Sequence, residues 1–128
     1  MGVSFVMPYA PNQRILHAIA NATTWQILAT DGVGYATYAL LLAAAKTPWP
    51  GLDPGMDLQV LNARSENGAG ADGSPFYVRF NTTAAPGSDD EAELVSGSGQ
   101  TLPVPGPIRT VWVRKTVGTD EVILAGRY

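Results

Sequence analysis

Apolar and polar residues alternate in short runs along this chain, and the runs are separated by glycine and proline. From Arg14 to Ala20, Ile15, His17 and Ile19 stand against Leu16 and Ala18. From Thr23 to Leu28, Trp25 and Ile27 share a face. Both patterns have the two-residue period of a strand. Asp31-Gly-Val-Gly34 interrupts the series, and Tyr35 to Lys46 then reads almost entirely as Ala and Leu. Propensity favours a short helix there, although a fully buried strand would be equally continuous in its apolar character. The following TPWPGLDPG holds three prolines and two Pro-Gly turns, which prevent regular pairing.

Asp57 to Ala63 sets Leu58 and Val60 against Gln59 and Leu61, which predicts another strand, and SENGAGADGS after it reads as a flexible connector. The clearest strand is SPFYVRFN. It places Phe76, Val78 and Phe80 on a core face and Tyr77 and Arg79 on the other, with Pro75 tolerated at the strand start. Thr82 to Ala92 is a polar, acidic loop with a Pro86-Gly87 turn. Two weak strand segments then flank Gly97-Ser98-Gly99. Ile108 to Lys115 sets Ile108, Thr110, Trp112 and Arg114 against Arg109, Val111, Val113 and Lys115. Val117-Gly-Thr-Asp120 leads from there into Glu121 to Ala125, a pattern that predicts a hairpin with Gly118 in its turn.

The expected fold is therefore mainly β: an antiparallel β-sandwich or barrel of about seven short strands, with the one helix, if formed, near 36–46. A length of 128 residues fits one domain. Residues 14–128 are assigned to that domain. Residues 1–13 read either as an extended N-terminal arm or as the first strand of the sandwich.

Composition narrows the chemistry. There is no Cys, which excludes disulfides, thiolate metal sites and thiol nucleophiles. A net charge of -3 gives no basic footprint for nucleic acid. The amino terminus lacks the basic region and long apolar core of a signal peptide, and no apolar run is long enough to span a bilayer. His17 is the only imidazole and has no elbow motif or ligand partner near it, so no catalytic residue, metal ligand or cofactor site is assigned. Asp89, Asp90, Glu91 and Glu93 lack the spacing of a calcium loop and read as a solvated acidic loop. Of the three Trp, Trp25 and Trp112 are assigned to the core. Trp49, on the Pro-rich loop, is either a lid or an exposed ring able to stack on a sugar or a partner.

The second half has an ordered series of features: the strand YVRF (Tyr77 to Phe80), an acidic small-residue loop, LPVPG (Leu102 to Gly106), then IRTVWVRKTVGTDEVILAGRY. This series, covering Pro75 to Tyr128, resembles the small β-sandwich structural proteins of tailed bacteriophages. The resemblance implies a non-enzymatic virion component, assembled in the bacterial cytoplasm and present in many copies. A capsid decoration (cement) subunit is the leading expectation, with a tail or head-to-tail connector protein as the alternative within that class. A carbohydrate-binding module is the alternative outside it. The implied partners are the major capsid protein or other virion subunits, and further copies of the same chain, with a trimer favoured; neither nucleic acid nor a membrane is implied. Phe5, Tyr9, Trp49, Tyr77, Arg79, Arg114 and Arg127 are the candidate interface residues, since aromatic and Arg side chains are enriched where surfaces meet.

Overall fold

A computed structural model describes residues 23–66, 73–117 and 121–128, together with the backbone of 13–19. The alternating segments become nine strands: β1 (Gln13–Ile19), β2 (Gln26–Leu28), β3 (Gly34–Tyr35), β4 (Val60–Glu66), β5 (Phe76–Phe80), β6 (Glu93–Val95), β7 (Gln100–Leu102), β8 (Val111–Lys115) and β9 (Glu121–Arg127). All pairings are antiparallel and build two sheets, β1-β9-β4-β7 and β3-β2-β8-β5-β6. The expected mainly β sandwich is what forms. Among the described residues there are nine strands against about seven expected; β3, with two residues, is too short to show a period.

The sheets meet through the faces that alternation marks as apolar. Leu61, Ala63, Leu102, Val122 and Leu124 of the first sheet pack on Leu28, Phe76, Val78, Val95, Val111 and Val113 of the second. Phe80 is half-buried at the margin of this core. Fully burying one such side chain contributes about 1.5–3 kcal/mol, so this layer supplies most of the driving force.

Two expectations are corrected. The hairpin between β8 and β9 does not form: β8 pairs with β2 and β5, and β9 with β1 and β4, so the chain crosses from one sheet to the other between them. Each of these strands is already flanked on both sides by other partners, and nearness in sequence yields to that. Gly118 lies outside the described residues. The flexible connector also begins later than expected, because β4 continues through Ser65 and Glu66. Ser65 is fully buried and donates its hydroxyl to the Ser74 carbonyl at 2.5 Å.

Propensity prevails in the Ala/Leu segment, where a six-residue helix α1 (Tyr38–Ala43) forms. Thr37 caps its start, its hydroxyl accepting from the Leu40 amide at 3.0 Å. At its end the Lys46 amide donates to the Leu41 carbonyl and the Ala45 amide to the Leu42 carbonyl. These are the two bonds of a Schellman stop, and they require the left-handed backbone that Ala45 adopts, with φ 58°. Glycine takes that conformation without the Cβ clash that alanine suffers. Ala45→Gly is therefore expected to raise stability by about 0.5–1 kcal/mol, read as a higher urea midpoint at unchanged slope.

Candidate interaction surface

The five-stranded sheet has a second, outward face, and register determines what stands on it. Ile27 lies opposite Trp112, Trp112 opposite Arg79, and Arg114 opposite Tyr77. One half of this face is apolar. Ile27, Ala29 and Trp112 are buried there beneath Leu41 of α1, with Trp25, Tyr35 and Tyr38 half-buried around them. Trp112 thus fills a core as expected, but it is the small core under the helix, not the one between the sheets.

The other half of the face is polar and is closed by the segment 82–92. Arg114 makes a two-pronged contact with Asp89, Nε to Oδ1 at 2.9 Å and Nη2 to Oδ2 at 2.5 Å. Its remaining nitrogen, Nη1, donates to the Thr23 carbonyl, and the guanidinium carbon lies 4.9 Å from the centre of the Tyr77 ring. Arg79 donates Nη1 to the Glu91 carbonyl at 2.6 Å. The Thr82 carbonyl accepts from both Trp112 Nε1 and Thr110 Oγ1, at 2.9 and 2.8 Å. The acidic segment is therefore fastened to the sheet rather than freely solvated, with a 3-10 turn over Asp89–Glu91. Among the described residues there is no cluster of three or more His, Asp or Glu able to hold a metal ion.

These contacts place the candidate residues. Tyr77, Arg79 and Arg114 are brought together, but each is engaged within the chain. Arg127 is exposed at the end of β9, on the other sheet, and stands apart from them. Phe5 and Tyr9 lie outside the described residues. Trp49 is corrected outright: only 2 % of it is exposed, and its amide donates to the Leu28 carbonyl. Its ring lies beside Gly126 of β9, where an added Cβ would crowd Leu58 at 2.9 Å and stand 3.4 Å from the indole. It is neither a lid nor a ring available to a sugar.

What the sequence reading passed over is the exposed surface of α1. Among its residues the fold buries Leu41 alone, whereas Leu40 and Leu42 remain 53 % and 50 % exposed. Val33, on the turn before β3, is exposed as well, and no charged residue occurs between Asp31 and Lys46. The signal was present in the run of Ala and Leu without a polar stripe. A helix apolar all round is normally a buried helix.

Asp31 and Lys46 close this neutral stretch with an ion pair at 3.2 Å, and Asp31 also accepts from the Val33 amide at 3.0 Å. Slight desolvation pushes the Asp31 carboxyl up, but the Val33 amide and Lys46 together outweigh it and hold the carboxyl below its ordinary value. A depressed folded-state pKa means the pair's contribution is present above the usual carboxylate range, about pH 4, and is lost as pH falls through the lower folded value.

Compared with protein-family models, curated proteins and solved structures, the chain matches none.

The Arg114–Asp89 pair is two-pronged and partly shielded, which places it near the upper end for such contacts. A double-mutant cycle on Arg114→Ala and Asp89→Ala is expected to give a coupling of about 1 kcal/mol. Arg114→Lys, which keeps the charge but loses the fork, should retain less than half of it. Both Ala variants should speed proteolysis within 82–92, and an unchanged cleavage rate would show that the segment is held by other contacts.

Proposed function

We propose that this chain is a bacteriophage virion structural subunit, a capsid decoration (cement) protein that binds the assembled head lattice and stabilises it. The observation that supports the reading most directly is the uncovered apolar helix. Leu40, Leu42 and Val33 are uncharged side chains left about half exposed among the described residues, and exposed apolar surface of this kind marks sites where another protein docks. Covering the two half-exposed leucines would contribute about 2 kcal/mol. That is modest for one contact, but a lattice repeats it at every copy.

The rest of the subunit suits the same role. A decoration protein needs a scaffold that keeps its shape while its surface makes contact. The bonds from Trp112, Thr110, Arg79 and Arg114 to segment 82–92 fix the outward face of the sheet without any partner. A ligand that binds only the assembled lattice then stabilises it by mass action.

Purified protein mixed with undecorated, expanded capsids should bind in a fixed stoichiometry, with electron microscopy placing it on the head. Labelling confined to the tail or neck, or no binding to particles at all, would refute the assignment. Replacing both Leu40 and Leu42 by Asp should lower capsid affinity at least tenfold, about 1.4 kcal/mol, while circular dichroism and the urea midpoint stay close to those of the parent. Undiminished affinity would remove α1 from the interface.

A further inference from the structure

Strand β6 covers only part of the edge of β5. Their last pair is Val78 with Glu93, whereas β5 runs on to Phe80, and β8 accompanies it on the other side to the end, with Phe80 opposite Val111. An antiparallel strand turns the hydrogen-bonding groups of alternate residues to alternate neighbours. The Asn81 amide donates to the Thr110 carbonyl at 3.0 Å, so Asn81 faces β8, and the amide and carbonyl of Phe80 face the side that β6 has left.

Continuing the β5–β6 register would set Phe80 opposite Glu91, but Glu91 is already engaged. Its carbonyl accepts from Arg79 Nη1, and its amide donates to the Ser88 carbonyl at 3.2 Å. Among the described residues no hydrogen bond reaches the Phe80 amide or carbonyl on that side. A strand edge left in this state is a template for another strand.

A groove of about 460 Å³ lies along this stretch of edge. Pockets that hold ligands run from about 300 to 1,000 Å³. Phe80, Pro103 and Pro105 give the groove apolar walls, and Asp90, Glu91 and Glu93 stand there against a single cation, Arg79. Neither Asp90 nor Glu93 has an ion-pair partner among the described residues. An Arg or Lys side chain suits both features, since its aliphatic stem covers apolar surface while its head stays with a carboxylate.

We propose that an extended segment of another protein, carrying Arg or Lys, adds to β5 at Phe80 and brings that side chain to Asp90 and Glu93. The inference does not depend on the virion role. Charge selects another protein over a second copy. Among the described side chains Lys46, Arg64, Arg109 and Arg114 already hold carboxylates, and Arg127 stands on β9, which is flanked by β1 and β4 and has no free edge to offer.

The probe is an acetylated, amidated peptide of sequence Thr-Val-Arg-Val-Thr, added to the full chain labelled with nitrogen-15. It should shift the Phe80 and Glu93 amide signals saturably and slow hydrogen exchange at the Phe80 amide. Replacing its arginine by neutral citrulline should weaken binding about tenfold, the loss expected for a charge-assisted hydrogen bond, and N-methylation along its backbone should abolish binding. Asp90→Asn combined with Glu93→Gln in the protein should also weaken it about tenfold. Both side chains are exposed, so the urea midpoint of that variant should stay at the parent value. The absence of a saturable shift at Phe80 overturns the proposal, and so does equal binding of the citrulline or N-methylated peptide. Slow exchange of the Phe80 amide in the free protein would show that the chain itself, or a second copy, already fills the edge, and would overturn it as well.

Discussion

Strand β8 is buried on both faces, and the rest of the sandwich is arranged around that constraint. Val111, Val113 and Lys115 face inward and Trp112 and Arg114 outward, and only Arg114 retains appreciable exposure. A sheet in a two-layer sandwich normally leaves one face to water. Here the outer face carries an indole and a guanidinium whose polar atoms need partners and whose apolar surface needs cover. The chain meets that need with two separate insertions, helix α1 over the Trp112 half and segment 82–92 over the Arg114 half.

The two covers are held by different physics. Segment 82–92 is held by directed bonds: the Thr82 carbonyl receives two donors, Asp89 receives the Arg114 fork, and the Glu91 carbonyl receives Arg79. These donors and acceptors are matched inside one chain, except that Arg79 Nε is buried without a hydrogen-bond partner. Helix α1 is held by Leu41, by half-buried Tyr38 and by its caps, with the exposed Asp31–Lys46 pair as an ionic tether among the described residues. An exposed pair of that kind adds between about 0 and 1 kcal/mol.

That difference explains what was legible in the sequence. Strand periods fixed most elements and both faces of β5, because a one-residue slip would have placed Phe76 and Val78 in water. Strand partners were not legible where sequence proximity and the sheet disagreed, as for β8 and β9, since antiparallel pairing leaves no mark of which neighbour is chosen. Tyr77, Arg79 and Arg114 stood out by residue type, and type alone does not distinguish an Arg awaiting a partner from one already bound. Trp49 failed for a related reason: proline on either side predicts a loop, and nothing in that local pattern shows that the indole turns inward into the core between the sheets.

The surface chemistry therefore shifts from the polar residues that first draw attention to the apolar ones that do not. A charged side chain on a β-surface is commonly satisfied at home, because its long stem reaches several acceptors and a nearby loop supplies them. A leucine on a short helix has no such local remedy; it stays wet unless something large enough covers it. Leu41 shows what α1 gains from cover, being fully buried on the sheet, whereas Leu40 and Leu42 flank it at half exposure. Roughly 100° per residue separates these three around the helix axis, so the uncovered surface lies along both flanks of the buried stripe.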